Sequence, residues 1–370
     1  MNLIALAIPF FFLLIGVELA VAWKLRQRVY RLPDALCDLG CGVAQQTGVL
    51  LYSWALIAAY AWLYEHARLV TLPTWAQWVV AFIGVDFLYY WWHRLSHEMN
   101  LLWAAHVVHH QSEDYNLAVA LRQSVTTTAT IFPFYATLAF VGVGPLQLAV
   151  ATSLSTLYQF WIHTELVPRL PWFEKLFNSP SAHRVHHAIN ARYLDKNHAA
   201  TLLVWDRLFG TWEPETEKPV YGITRPLGSF NPVWSQLAGW ADLVKLARKA
   251  PTLWDKVQVF FRSPAWHPEW MDAKAAPPAT REAQRKYDVQ PGRAAQAYAL
   301  FWFTALAAGT FSLLMWGRGL GIATLFAVVA AVYLTLAAIS GVLEGRRWVR
   351  LVEPVRYAGL AALGFMLVRG

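Results

Sequence analysis

Three histidine clusters crowd one part of this chain: His93 and His97 in an HxxxH pattern, His106, His109 and His110 in HxxHH, and His183, His186 and His187 in a second HxxHH. On a helix, residues three and four apart share a face. Each cluster can therefore point two or three imidazoles at one spot. Ten of the twelve histidines fall between His93 and His198. Neutral imidazole ligates zinc, copper, iron and nickel. A single structural zinc needs four ligands, and the eight clustered histidines exceed that. Two metals sharing them, with ligands drawn from several helices, is the economical reading. The bland alternative is scattered interfacial or protonation-switch histidines. Three clusters beside membrane-length apolar runs weigh against it, because ionisable groups at a membrane usually mark function.

Other chemistries find less support. His97-Glu98 starts an HExxH metalloprotease motif, but Leu101 stands where the second histidine belongs. No GxSxG nucleophile elbow occurs. A membrane metallohydrolase is thus a weak alternative. A transporter or metal-handling membrane protein is the other. Transporter sites sit at the bilayer midplane on broken helices, whereas these histidines fall at span ends or beyond. Cys37 and Cys41 alone make neither a disulfide framework nor a four-ligand zinc site and read as free thiols.

The elements that must position the histidines are membrane helices. The chain has 370 residues, is 57% hydrophobic and only 15% charged, against roughly 25% in ordinary soluble domains. Its net charge is +8. No compact basic patch with interleaved aromatics appears, so no nucleic-acid partner is expected. Nothing at the N-terminus reads as a cleaved signal peptide. The fold class expected is all-α, a polytopic helical bundle carrying a histidine-rich di-metal domain on its cytoplasmic side. Apolar runs at 3–23, 48–64 and 75–92 are long enough to span. The run 129–162 is too long for one straight span and predicts a hairpin turning at Gly142-Val143-Gly144-Pro145. Further spans are expected at 296–316, 319–341 and 352–368. Lys24, Arg26, Arg28 and Arg31 follow the first run, and Arg346, Arg347 and Arg350 separate the last two. Such basic flanks mark cytoplasmic ends, which places residues 164–295 and the histidines on that side. The domain divisions expected are 1–74 (N-terminal spans), 75–215 (catalytic), 216–295 (extension, with 273–295 as linker) and 296–370 (C-terminal spans).

These motifs resemble the fatty acid hydroxylase and sterol desaturase superfamily of membrane di-iron oxygenases. The residues carrying the resemblance are Asp86 with Tyr89-Tyr90-Trp91-Trp92-His93-Arg94, then His97 to Trp103, His106 to His110, Ala120 to Ser124, His183 to His187, Tyr193 to Asn197 and Trp205 to Thr211. The match is strong over about residues 80–215 and looks most like the ether-lipid monooxygenase group, the alkylglycerol monooxygenases and their bacterial relatives. It implies two Fe ions, O2, and a lipid that is hydroxylated or desaturated. Iron suits that work, whereas zinc has no redox chemistry. It also implies an external electron donor: a reduced pterin, a ferredoxin or a cytochrome. A multi-pass protein of a bacterial inner membrane is the location implied. The implied metal ligands are His93, His97, His106, His109, His110, His163, His183, His186 and His187. His198 is a tenth candidate, standing where such relatives usually carry tyrosine. Glu98 and Asp86 are expected to accept imidazole N–H groups and orient the rings. Arg94 and Arg184 are expected to face headgroups or an acidic partner.

Overall fold

The computed structural model describes residues 3–271, 279–317 and 319–369. Fourteen α-helices run along them. Among the described residues no sheet forms; Phe177 with Leu202 and Ala188 with Tyr221 make isolated bridges. The all-α expectation holds.

α1 (Leu3–Lys24) is apolar on all sides and ends in Lys24. α2 (Leu32–Val49) starts with Pro33 in its first turn, where a missing N–H costs nothing. α3 (Ser53–His66) follows α2 at a 58° bend. The span expected at 48–64 is therefore the second arm of a broken pair. α4 (Thr74–Glu98) and α5 (Asn100–His110) are separated only by Met99, whose extended backbone turns the chain.

α6 (Thr127–Phe140) and α7 (Pro145–Trp161) form the expected hairpin. Its turn needs Gly142: φ is +84°, and a Cβ there would lie 2.4 Å from the Val70 carbonyl oxygen. Pro145 opens α7, as the sequence suggested. The two helices have 14 and 17 residues. At about 1.5 Å per residue, both are short against a hydrocarbon core of about 30 Å.

α8 (Pro180–His186) and α9 (Val204–Leu208) are short. Ser179 caps α8, accepting from the Ala182 N–H at 3.1 Å. α10 (Pro232–Lys249) is capped by Asn231, and α11 (Leu253–Phe261) by a Thr252–Asp255 capping box. α12 (Arg293–Trp316), α13 (Ile322–Leu343) and α14 (Val349–Arg369) close the chain.

α1, α12 and α13 are each long and apolar enough to cross a membrane, and the bent α2–α3 pair qualifies as a fourth. The protein is an integral membrane protein, and among the described residues these are the helices that meet the length and apolarity of a full span. α14 does not qualify. Its Arg356 is buried, pairs with Glu353 at 2.7 Å and lies 4.0 Å from the Trp302 ring of α12. α4, with Asp86 inside and a Tyr-Trp-His end, does not qualify either.

α4 is the centre of the packing. It touches α5, α6 and α7, while α5 is covered on its other side by α10 and α11. Ala81 and Val85 of α4 pack with Leu138 of α6 and Ala151 of α7. Of the expected 273–295 linker, residues 272–278 lie outside the described residues. Residues 279–292 are not free. Gln284 Nε2 donates to the Tyr221 carbonyl at 2.7 Å, the Tyr287 N–H donates to Glu113 at 2.7 Å, and Lys286 pairs with Asp114 at 2.7 Å. Linker-like composition does not reveal partners that other segments supply.

Candidate metal centre

The helix ends of α4, α5, α7 and α8 meet, and their histidines sort into two groups. His93, His97, His106, His110 and His186 form one; His109, His163, His183 and His187 form the other. Within each group the potential ligand atoms all lie within 4.8 Å of one another, and every member is buried.

The sorting follows helix geometry. In each HxxHH box the i and i+4 residues go to one group and the i+3 residue to the other. His106 and His110 join the five-histidine group and His109 the four. His183 and His187 join the four-histidine group and His186 the five. Each box therefore straddles both groups instead of serving one spot. Face-to-face stacking of His110 on His187, with ring centres 4.4 Å apart, joins the two groups.

The rings are aimed by backbone carbonyls. His93 Nδ1 lies 2.8 Å from the His198 carbonyl oxygen, His109 Nδ1 3.0 Å from that of Arg122, His163 Nδ1 2.7 Å from that of Gln159, and His186 Nδ1 2.9 Å from that of Lys196. A carbonyl only accepts, so each Nδ1 carries the proton and each Nε2 is left with its lone pair. Asp195 and Asn197 have φ of +56° and +55°. Asp and Asn enter this region more readily than most residues, and here they flank the Lys196 carbonyl that His186 uses. Asn197 fixes the turn by donating to the Ala182 and Glu213 carbonyls at 2.9 and 2.8 Å.

The Nε2 atoms converge. His93 and His110 place theirs 2.9 and 3.0 Å from that of His106. His163 places its own 3.2 Å from that of His109 and 3.0 Å from that of His183. Metal–imidazole bonds of about 2.1 Å at right angles put neighbouring nitrogens about 3.0 Å apart. His97 Nε2 and His186 Nε2 are buried with no hydrogen-bond partner, a costly arrangement unless something binds them. Burial pushes the imidazoles of His106, His110, His183, His186 and His187 well below their usual range, and that of His109 down to about 4. These rings are neutral at pH 7, the form that ligates. Orphaned nitrogens, neutral rings and an all-imidazole donor set fit two transition-metal ions.

His198 is fully buried, with its ring centre 5.1 Å from that of His97, and neither ring nitrogen has a partner. It lies beside the five-histidine group but not in it. Its carbonyl holds His93 instead.

Both carboxylates expected to hold imidazoles are placed differently. Glu98 pairs with Arg94 one turn back at 2.9 Å and is half-exposed. Following His97 directly, it points about 100° away round the helix. Asp86 touches no imidazole; it accepts from the N–H groups of Thr201 and Leu202 at 2.9 and 3.2 Å and from Trp205 Nε1 at 2.8 Å. It thus clamps the loop after His198. The carboxylate that does face a ligand candidate is Asp195, 3.5 Å from His97 Nδ1. Arg94 and Arg184 are also held within the fold. Arg184 is bound to Glu215 at 2.7 Å and to the Thr164 and Val167 carbonyls at 2.9 Å each.

Sequence reasoning included Arg122 in the resembling stretch 120–124 but gave it no role; it is 1% exposed. Its guanidinium reaches Asp38 at 2.9 Å, Gln111 at 2.9 Å, Ser235 at 3.0 Å and the Val108 carbonyl at 2.6 Å. It ties α2, α5 and α10 together behind His109.

A cavity of about 610 Å³ opens on His106, His109 and His163 and runs between α1, α2, α3, α6, α7 and α12. Phe12, Ile57, Phe132 and Phe311 line its far part, and Gln123 and Gln159 stand near the histidines. Among the described residues no Asp, Glu, Lys or Arg lines it.

Residues 78–211 match the fatty acid hydroxylase family. The chain is 43% identical to human alkylglycerol monooxygenase over 71% of its own length and 59% of that protein's. It is 35% identical to the Xenopus tropicalis alkylglycerol monooxygenase over 95% of its own length and 79% of that protein's. An ornithine lipid hydroxylase of Rhizobium tropici is 28% identical over 40% of this chain and 47% of its own. No solved structure matches the chain. The chain belongs to the fatty acid hydroxylase superfamily of lipid-acting membrane oxidoreductases.

Proposed function

We propose that this protein is a di-iron monooxygenase that inserts oxygen into an ether lipid. One observation carries the reading: two groups of buried imidazoles stand at one end of an apolar cavity that, among the described residues, no charged side chain lines. Nine histidines hold the irons: His93, His97, His106, His110 and His186 one of them, and His109, His163, His183 and His187 the other. Bound iron supplies the activation of O2 that an unreactive C–H bond requires. The chain's own residues do the rest. The cavity shields an acyl or alkyl chain from water, and Gln123 and Gln159 offer neutral hydrogen bonds near the histidines. A cavity without charged side chains suits an uncharged lipid, since a charge buried without a partner is costly. For the electron donor, a reduced pterin, a ferredoxin and a cytochrome are the external candidates.

Glu18, towards the Lys24 end of α1, accepts from Thr164 beside His163, and basic flanks such as Lys24 mark the cytoplasmic side. In a bacterium this is the inner face of the inner membrane. The transporter and metallohydrolase alternatives find no support: the histidines sit at helix ends around a closed pair of groups, and no HExxH forms.

The test uses the full chain in lipid nanodiscs, loaded with iron and given a 1-O-alkylglycerol, O2 and each donor class in turn. Oxygen inserted beside the ether oxygen gives a hemiacetal that falls apart to a fatty aldehyde and glycerol. About two irons per chain and O2-dependent aldehyde are expected. One tightly bound zinc, with no iron-dependent turnover on any lipid, would sink the reading.

A further inference from the structure

Outside the histidine site the most distinctive surface is the outer face of α10 and α11. On α10, Trp234, Leu237, Ala241 and Val244 are all exposed on one stripe, since they lie three, four and three residues apart. Leu253 and Trp254 of α11 are 79% and 68% exposed, and Phe261 is exposed on the same helix. The opposite faces are committed. Leu243 packs into a cluster with Ala104 of α5 and Val259 of α11. Large exposed apolar surface in so small a region marks an interaction site.

The basic residues show what it meets. Lys245 and Lys249 flank the α10 stripe, and Arg248 lies at its C-terminal end. All three are exposed and none forms an ion pair among the described residues. A helix with tryptophan and leucine on one face and Lys/Arg beside them is suited to lie in a membrane interface, apolar face down and cations at the phosphates. The start of α10 fixes its height. Pro232 sits against Gly40 and beside Leu336 of α13, which is two turns from the end of that span at Leu343. The N–H of Phe230, just before α10, donates to Glu344, which caps α13. α10 therefore begins at the bilayer edge, on the side carrying Arg346 and Arg347.

We infer that α10 and α11 form an in-plane anchor whose partner is the anionic phospholipid surface of the leaflet nearest the histidine groups. The anchor bears directly on the site. A Cβ at Gly239 would lie 2.7 Å from Val107 Cγ1 and 2.8 Å from the Ala104 carbonyl oxygen, so α10 rests on the helix bearing His106, His109 and His110. Seating α10 in lipid fixes the depth of that helix, and with it the depth at which the cavity meets the acyl chains. The inference stands on the membrane spans and does not depend on the chemistry proposed for the histidines.

The experiment places a nitroxide at Leu237→Cys, Val244→Cys or Trp254→Cys in the full chain. Native Cys37 and Cys41 are buried and escape labelling. The chain is reconstituted in vesicles of 7:3 phosphatidylcholine to phosphatidylglycerol, taking about 7:3 as an anionic surface of the kind that attracts basic segments. A melting temperature by tryptophan fluorescence close to that of the parent chain confirms that each variant is folded. Collisions with oxygen should exceed those with a water-soluble nickel chelate by about threefold or more, as for labels some 5–10 Å below the headgroups. Replacing Lys245, Arg248 and Lys249 with Gln, or omitting phosphatidylglycerol, should lower that preference at least about twofold. Water-like collision ratios at all three positions would overturn the anchor. Lipid-like ratios unaffected by the charge changes and by lipid composition would overturn the anionic surface as its partner.

Discussion

Removing the Arg122 guanidinium should damage one of the two histidine groups from behind. Arg122→Met removes hydrogen bonds to Asp38, Gln111, Ser235 and the Val108 carbonyl. It leaves Asp38, which is fully buried and has one oxygen already without a partner. Breaking a buried ion pair by removing one partner costs about 3–5 kcal/mol, most of it the stranded charge. At about 2 °C per kcal/mol, the low end for large domains, melting followed by tryptophan fluorescence should fall by about 6–10 °C. The local effect is more specific. The Arg122 carbonyl accepts a hydrogen bond from His109 Nδ1–H, and loosening such a contact costs about 10- to 100-fold in metal affinity. Iron per chain should therefore fall towards one, with the loss confined to the four-histidine group. The double variant Arg122→Met/Asp38→Leu removes both charges and should recover most of the melting loss, since apolar replacements of buried pairs are often neutral. Unchanged melting and iron content in Arg122→Met would refute this. So would a double variant that melts lower than both single variants, because the stranded charge would then not be the cause.

The remaining predictions concern residues whose roles the structure reassigns. Glu98→Gln should leave iron content intact and change turnover less than about twofold, because an exposed i,i+4 pair contributes only about 0–1 kcal/mol; a tenfold loss of turnover would restore Glu98 to the site. Asp86→Ala strands the N–H groups of Thr201 and Leu202 at about 1–3 kcal/mol each, so a lower melting temperature with weaker iron retention is expected, and an unperturbed protein would show that the loop holds without its clamp. His198→Ala should keep close to two irons by elemental analysis while His186→Ala loses iron from the five-histidine group; equal losses would make His198 a ligand.

Local patterns were legible in the chain and long-range ones were not. The three clusters declare themselves by spacing, because i+3 and i+4 are set by the helix alone. The α6–α7 turn was readable for the same reason, since Gly142 and Pro145 each impose their own backbone geometry. The division of each HxxHH box between two groups needed the relative placement of α4, α5 and α8, and nothing within one box encodes that. The groups aiming the rings are mostly carbonyls, of Arg122, Gln159, Lys196 and His198, and every residue has one. Glu98 drew attention by adjacency to His97, yet adjacency on a helix turns a side chain away. Asp86 was expected to orient an imidazole, but its partners are backbone N–H groups and a tryptophan more than a hundred positions later in the chain. Hydropathy did not separate α2 from α3 within the apolar stretch at 48–64, because the length of an apolar run does not reveal the bend at residues 50–52 that divides them.

The unequal groups and the cavity together suggest which side of the centre meets the lipid. The five-histidine group is enclosed. Trp92 and Trp103 lie against His106 and His97 with ring centres 5.4 and 5.1 Å away, and Tyr90 and His198 close the side beyond His93. Of its members only His106 reaches the cavity wall. The four-histidine group has one donor fewer and puts both His109 and His163 on that wall. Fewer protein donors leave more room at a metal for oxygen and substrate, as open positions do in catalytic sites generally. The same two histidines are held from outside the boxes: His109 by the Arg122 carbonyl, and His163 by the Gln159 carbonyl of α7. Gln159 itself lines the cavity. His163, two residues beyond α7, and the cavity wall that α7 supplies are thus joined through Gln159, so a change in cavity shape along α7 reaches a proposed ligand.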